Sequence, residues 1–171
     1  MNFVEESRRD LLQSFAGVDG EKLSQRSAPD GWSVAEILDH LRMVETGVAR
    51  LITKRVGQAR ESGLHAEKET SSVMPSFDRH SQYLNSTILK SPTPVQPRPN
   101  VHISEALEGL ETSRAALRAA VDDADGLALA EIKHTHVILG ELDLYQWLIF
   151  LGQHEGRHKK QIERTLQSIP E

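Results

Sequence analysis

The chain has 171 residues, a length suited to one compact domain, and 44 of them are Leu, Ile, Val or Phe, about 26% of the total. That fraction exceeds the roughly 20% below which a chain cannot bury enough to fold, so global disorder is excluded. Acidic residues outnumber basic ones 25 to 20, and the net charge of −5 argues against a nucleic-acid-binding surface. With zero cysteines the chain has no disulfide, thiolate ligand or cysteine nucleophile, so its chemistry must use His, carboxylates, hydroxyls or a borrowed thiol. Eight histidines is a high count.

The N-terminus, Met1 to Asp10, mixes charges where a signal peptide needs an apolar stretch. Trp147 to Leu151, the longest aromatic-aliphatic run, is too short to span a bilayer. The expectation is a cytoplasmic protein with no membrane partner.

A first helix opens at Asn2, with Glu5 three residues on and Val4, Leu11, Leu12 and Phe15 as its apolar side, and ends near Gly17 to Gly20. A second has the capping-box pair Ser33 and Glu36, with Trp32 and Ile37 at the hydrophobic-staple positions. Its stripe of Val34, Ile37, Leu38, Leu41, Val44, Val48, Leu51 and Ile52 runs toward Gly57. A third helix spans Ser104 to about Val121, with Leu107, Leu110, Leu117 and Val121 inward. The fourth starts near Asp143, with Gln146 as capping partner, and continues to about Ser168. Between the second and third lie about 45 residues, 57–103, holding five of the seven prolines. A connection that long is normally functional or a crossover, and its Phe77 to Leu89 part, with Tyr83, Leu84 and Ile88, has the makings of a short packed element. With nothing that reads as a central sheet, the pattern predicts an all-α four-helix bundle, a single domain over 1–171, with one long connection.

The sharpest local signal is His154-Glu155-Gly156-Arg157-His158. Histidines at i and i+4 project about 40° apart from one helix face, so both can meet one metal ion. Both also fall within the apolar stripe of the fourth helix, alongside Leu151 and Ile162, and so point into the bundle. The alternative is a pair of core histidines satisfied by Ser, Asn or water. The string also matches HExxH, in which Glu155 would be the general base of a metallopeptidase. That reading lacks context: the 13 residues after His158 hold no histidine, and no strand is apparent to hold a peptide. His40 is a better third ligand. It lies on the flank of the second helix, and its depth matches His158 if the two helices are antiparallel, although a flank histidine is commonly just half-exposed. Three histidines would leave coordination positions open to water or substrate.

The stretches Gly31-Trp32-Ser33 to His40-Leu41, His136-Val137-Ile138-Leu139-Gly140-Glu141-Leu142, Gln146 to Phe150 and His154 to Ile162, with the proline-rich approach to the third helix, resemble the DinB-like superfamily, especially its second DinB subgroup. The resemblance covers essentially the whole chain; Val137 departs from it, standing where the family often has proline. It implies an up-down-down-up bundle whose long connection crosses over between helices two and three. It further implies a divalent ion, zinc or nickel, on His40, His154 and His158, and a thiol-dependent S-transferase, or a related metal-assisted enzyme, that activates a low-molecular-weight thiol or water against a small-molecule substrate. Homodimers are common in that family. A non-catalytic bundle binding a metal or small ligand is the alternative from a different class.

Among secondary candidates, Glu155 is a tentative catalytic base or a partner for a ligand histidine, equally readable as a buried carboxylate paired with Arg. Asp39 would orient a partner or face solvent. His134 and His136, placed in the loop entering the fourth helix, would line the mouth of a pocket. Trp32 and Trp147 read as staple and core, and Tyr83 and Arg98 are not distinguished from surface residues.

Overall fold

A computed structural model of the chain describes residues 1–68, 71–86 and 95–169. In chain order its elements are α1 (Asn2–Gln13), α2 (Gly20–Ser24), α3 (Val34–Glu61), α4 (Asp78–Ser86), α5 (Ile103–Asp123), strands β1 (Lys133–His136) and β2 (Gly140–Asp143), and α6 (Leu144–Gln167). The four expected helices are α1, α3, α5 and α6. No helix among the described residues is long and apolar enough to cross a membrane.

The two capping boxes form as the sequence requires. Ser33 Oγ accepts from Glu36 N–H and the Glu36 carboxylate accepts from Ser33 N–H, while Asp143 and Gln146 make the same reciprocal pair. The other two helix starts lie at or beside their expected places. α1 opens at Asn2, with Met1 before it making no side-chain cap. The third helix begins one residue earlier than expected, at Ile103, because the His102 ring accepts from Ser104 N–H.

Contacts between helices set their directions. Arg8 reaches Glu155, and a Cβ at Gly152 would collide with the Phe3 ring, so α1 and α6 lie close and parallel. Glu45 meets Arg114 and Arg60 meets Asp123, so α3 and α5 are parallel too. His40 approaches His154 while Arg55, further along α3, reaches His134 ahead of α6, so those two helices are antiparallel. The result is the up-down-down-up bundle.

The crossover between the parallel helices α3 and α5 contains a 3₁₀ turn, Met74–Phe77, leading into α4, and Phe77 is fully buried against the bundle. Backbone carbonyls tie it to α6: Gln146 donates to Ser76 C=O and Arg157 to Leu84 C=O. Ile88, Leu89 and the prolines Pro92 and Pro94 lie outside the described residues.

The hairpin β1–β2 was not expected, and it corrects the placement of His134 and His136. Both sit on a strand, with His134 opposite Leu142 and His136 opposite Gly140, not in a loop. Gly140 has φ +78°, the left-handed conformation the tight return needs. The connecting Val137 is 81% exposed, so the apolar run Val137-Ile138-Leu139 marks a turn here rather than core.

The core is two apolar clusters separated by a polar layer. One includes Val4, Val48, Leu117 and Leu151, the other Leu11, Leu41, Leu110 and Ile162. Between them each main helix contributes one charge: Arg8 from α1, Glu45 from α3, Arg114 from α5 and Glu155 from α6, all buried. Arg8 Nη2 lies 3.1 Å from Glu45 and 2.6 Å from Glu155; Arg114 lies 2.7 Å from Glu45 and 2.8 Å from Glu155. Ser113 donates to Glu45, Arg8 Nη1 donates to Leu110 C=O, and Arg114 Nη1 donates to Val4 C=O and to the Glu5 carboxylate.

Removing one member of this tetrad leaves a buried charge without its partner, which costs about 3–5 kcal/mol. Arg114→Ala is therefore expected to lower the urea midpoint sharply, whereas Arg118→Ala, which breaks only the exposed pair with Glu5, leaves it nearly unchanged. Equal shifts for the two variants would contradict this account of the layer.

Candidate metal centre

The i, i+4 pair of α6 and the flank histidine of α3 converge. His40 Nε2 is 3.2 Å from His154 Nε2, and His158 Nε2 is 3.1 Å from the same atom. His40 and His158 are buried and His154 is half-buried. The expectation of a half-exposed flank position does not hold for His40, because the end of the crossover and the Trp32 ring, 5.2 Å away between centroids, cover it.

Hydrogen bonds on the far side of two rings fix their tautomers. His40 Nδ1–H donates to Val95 C=O at 2.6 Å, and His158 Nδ1–H donates to Gln161 Oε1 at 2.8 Å. A neutral imidazole protonated at Nδ1 presents a bare lone pair at Nε2. His40 and His158 therefore both aim lone pairs at His154 Nε2, which has at most one proton to offer. At least one N···N contact is thus lone pair against lone pair, an arrangement made favourable by a cation among the three nitrogens. The two separations from His154 suit one, since nitrogens bound at roughly 2.0–2.1 Å to a single ion stand about 3–3.4 Å apart, and the three ligand atoms all lie within 4.8 Å of one another. An outer partner on the non-ligating nitrogen is also what metal-binding histidines ordinarily have.

The electrostatics favour the same state. Burial, with the neighbouring rings adding to it, holds His154 well below the ordinary imidazole range, and burial with His40 nearby takes His158 to about 3. Burial also lowers His40. All three are neutral near pH 7, as metal ligands must be.

Glu155, named from sequence as a tentative catalytic base, is engaged elsewhere. Its Oε1 accepts from Arg8 Nε and Nη2 and from Arg114 Nη2, while Oε2 is buried with no hydrogen-bond partner among the described residues. Burial pushes its pKa up to about 7 against the pull of the two guanidiniums. The peptidase reading of HExxH needs this carboxylate at the ion, and instead it joins the charged layer of the bundle.

His136 closes the hairpin: its Nδ1 accepts from the N–H groups of Ile138 and Leu139, both at 3.1 Å, and its ring packs on Trp147 and Phe150. Phe150 in turn stacks on His154 at 5.3 Å. His134, two residues earlier on the same face of the strand, meets Arg55 at 2.8 Å and lies 6.0 Å from the Trp147 ring between centroids. Neither joins the three-histidine cluster. Two partners of that cluster had no sequence signal: a backbone carbonyl, Val95, leaves no trace in residue type, and Gln161, one turn beyond His158, looks like any surface position of α6.

Comparison with known proteins gives a profile of the DinB superfamily matching residues 4–162. The chain is 26% identical over 170 residues to the uncharacterized protein YuaE of Bacillus subtilis (strain 168), covering 99% of this chain and 98% of that protein. Its fold matches the crystal structure of TT2238, a four-helix bundle protein, with a TM-score of 0.63 over 95% of this chain and 94% of the other; at 21% identity the likeness shows the fold alone.

An unfolded imidazole takes up a proton near pH 6.5, whereas folded His158 does so at about 3 and folded His136, lowered by burial and by His80, at about 4. Each contributes stability that is complete above pH 6.5 and is lost as pH falls toward the folded value. Glu155 works in reverse, since its folded carboxyl accepts a proton at about 7 rather than 4.5, and it offsets one histidine. Chelator-treated protein is expected to lose stability between pH 6.5 and 5, by up to about 1.4 kcal/mol per pH unit for each uncompensated histidine. His158→Gln flattens that slope in urea titrations. A midpoint constant across this window would contradict the shifts.

Proposed function

The chain belongs to the DinB superfamily, and from that premise we propose that it is a divalent-metal enzyme, a thiol-dependent S-transferase acting on a small electrophilic substrate. The observation that carries the reading is the meeting of three imidazole Nε2 atoms, two of them fixed by their Nδ1–H bonds as bare lone pairs. His40, His154 and His158 would hold the ion, zinc or nickel. Three protein nitrogens leave room for an exogenous ligand, which is the mark of a catalytic rather than a closed structural site. The ion, when bound, supplies Lewis acidity that lowers the pKa of a thiol or water beside it.

The chain's own residues do the rest. Val95 and Gln161 hold the ligand rings, so little reorganisation accompanies binding. Trp32 and Phe150 pack against His40 and His154 and limit water at the imidazoles. With no cysteine in the sequence, the sulfur that attacks the electrophile comes from a small thiol in solution, and the leaving group departs with the bonding electron pair. The acidic balance of the chain supports a small-molecule substrate over nucleic acid. The reading also places the protein in the cytoplasm, as a homodimer.

Elemental analysis after zinc or nickel loading is expected to give about one ion per chain, lost in His40→Ala, His154→Ala and His158→Ala. Loaded wild type should accelerate the loss of a low-molecular-weight thiol in the presence of an electrophile such as an aryl halide, and the three variants should not. One bound ion without any metal-dependent thiol consumption across a panel of electrophiles would overturn the transferase reading in favour of a non-catalytic metal protein.

A further inference from the structure

The last stretch of the crossover, Val95 to Asn100, runs beside His40 and is fastened to one face of α3. Glu36, Asp39 and His40 stand at i, i+3 and i+4 on that helix, and each takes a bond from this stretch or gives one to it. Asn100 N–H donates to Glu36 Oε1 at 3.2 Å, and Val95 C=O accepts from His40 Nδ1–H. Between them Arg98 makes three bonds to the Asp39 carboxylate: its backbone N–H at 3.0 Å and Nε at 3.3 Å to Oδ2, and Nη2 at 2.9 Å to Oδ1. The fork of Arg98 thus spans both carboxylate oxygens, an arrangement only a guanidinium provides.

Asp39 has no exposed side-chain surface, and its charge is balanced by Arg98 and by Arg42, 2.9 Å away. This is no ordinary surface ion pair, because one partner is fully desolvated and the other carries the backbone of the crossover with it. The prolines at positions 97 and 99 restrict the chain on both sides of Arg98, so a fixed Arg98 transmits its position to neighbouring peptide groups. Val95 lies three residues before it. A backbone carbonyl has no side chain of its own to aim it; it is aimed by where its segment is held.

We propose that the Arg98–Asp39 clasp is a positioning device for the metal centre: it holds Val95 C=O against His40 and so keeps His40 in the Nδ1–H tautomer, with its Nε2 lone pair directed at the ion. Arg98 is a positioning residue that touches neither the ion nor substrate. The inference rests on the reading that the three histidines hold a metal, and it adds that the affinity of the site is set in part from the crossover. His158 is oriented independently, by Gln161 on its own helix. Outer partners of ligand histidines typically matter by 10–100-fold in metal affinity.

The test is ¹⁵N NMR of labelled histidines in chelator-treated protein at pH 8, where the imidazoles are neutral, together with zinc titrations of the same samples. Wild type is expected to show His40 and His158 protonated at Nδ1. In Arg98→Ala, whose side chain is half-exposed and whose loss leaves Arg42 on Asp39, His40 is expected to lose that signature while His158 retains it, and zinc affinity to fall about 10–100-fold. Asp39→Asn, which keeps the shape but removes the charge, is expected to act in the same direction. Retention of the His40 Nδ1–H signature, or of wild-type zinc affinity, in Arg98→Ala overturns the proposal. A wild type that takes up no zinc refutes the metal reading by itself, and the clasp is then judged on the His40 tautomer alone.

Discussion

Four charges, one from each main helix, set the register of this bundle. Arg8, Glu45, Arg114 and Glu155 form a neutral layer between two apolar clusters, and sliding any helix by a single turn would strand a charge in the core. Hydrophobic packing alone is far less particular, since Leu, Ile and Val stripes tolerate neighbouring registers. The layer therefore specifies which levels of α3 and α6 face each other. His40 lies five residues before Glu45 and His158 three residues after Glu155. In antiparallel helices those steps, at about 1.5 Å per residue, run in the same direction, so the tetrad brings the histidines of both helices to one end of itself.

The three-histidine cluster inherits this frame and adds a second constraint. Its rings are held from outside by a carbonyl of the crossover and an amide of α6, with their lone pairs turned inward. Without a cation the convergence is unfavourable, because neutral imidazoles present like dipoles to one another and burial opposes their protonation. The arrangement suits an ion, and folding of the surrounding helices supplies the free energy that keeps the three rings together. The crossover, far from being a passive link between parallel helices, contributes Phe77 to the core and the Val95 carbonyl to His40.

Much of this was readable in the residues. The capping boxes at Ser33 and Asp143 located α3 and α6, because their chemistry is local. The pair His154 and His158 was legible from helical periodicity, and His40 from its depth along an antiparallel neighbour. What escaped was non-local or contrary to type. Arg8 and Arg114 read as solvent-facing charges until partners from other helices neutralise them. Lys133-His134-Thr135-His136 lacks the apolar alternation that signals a strand, and the apolar residues that follow it form a turn in which Val137 is exposed and Ile138 and Leu139 are half-buried. Glu155, framed by His154 and His158, also invites a catalytic reading, and its bonds to Arg8 and Arg114 fit the alternative the sequence offered, a buried carboxylate paired with Arg. Val95 acts through a backbone carbonyl, which sequence patterns do not encode.

The account turns on whether three imidazoles share one ion. X-ray absorption spectroscopy of the zinc-loaded protein tests this most directly, because it reads ligand type and distance at the metal. The account predicts a shell of nitrogen and oxygen at roughly 2.0–2.1 Å with the outer scattering of three imidazole rings, and no such shell in His40→Ala, which takes up no ion. A shell without imidazole scattering, or one unchanged by His40→Ala, would contradict it.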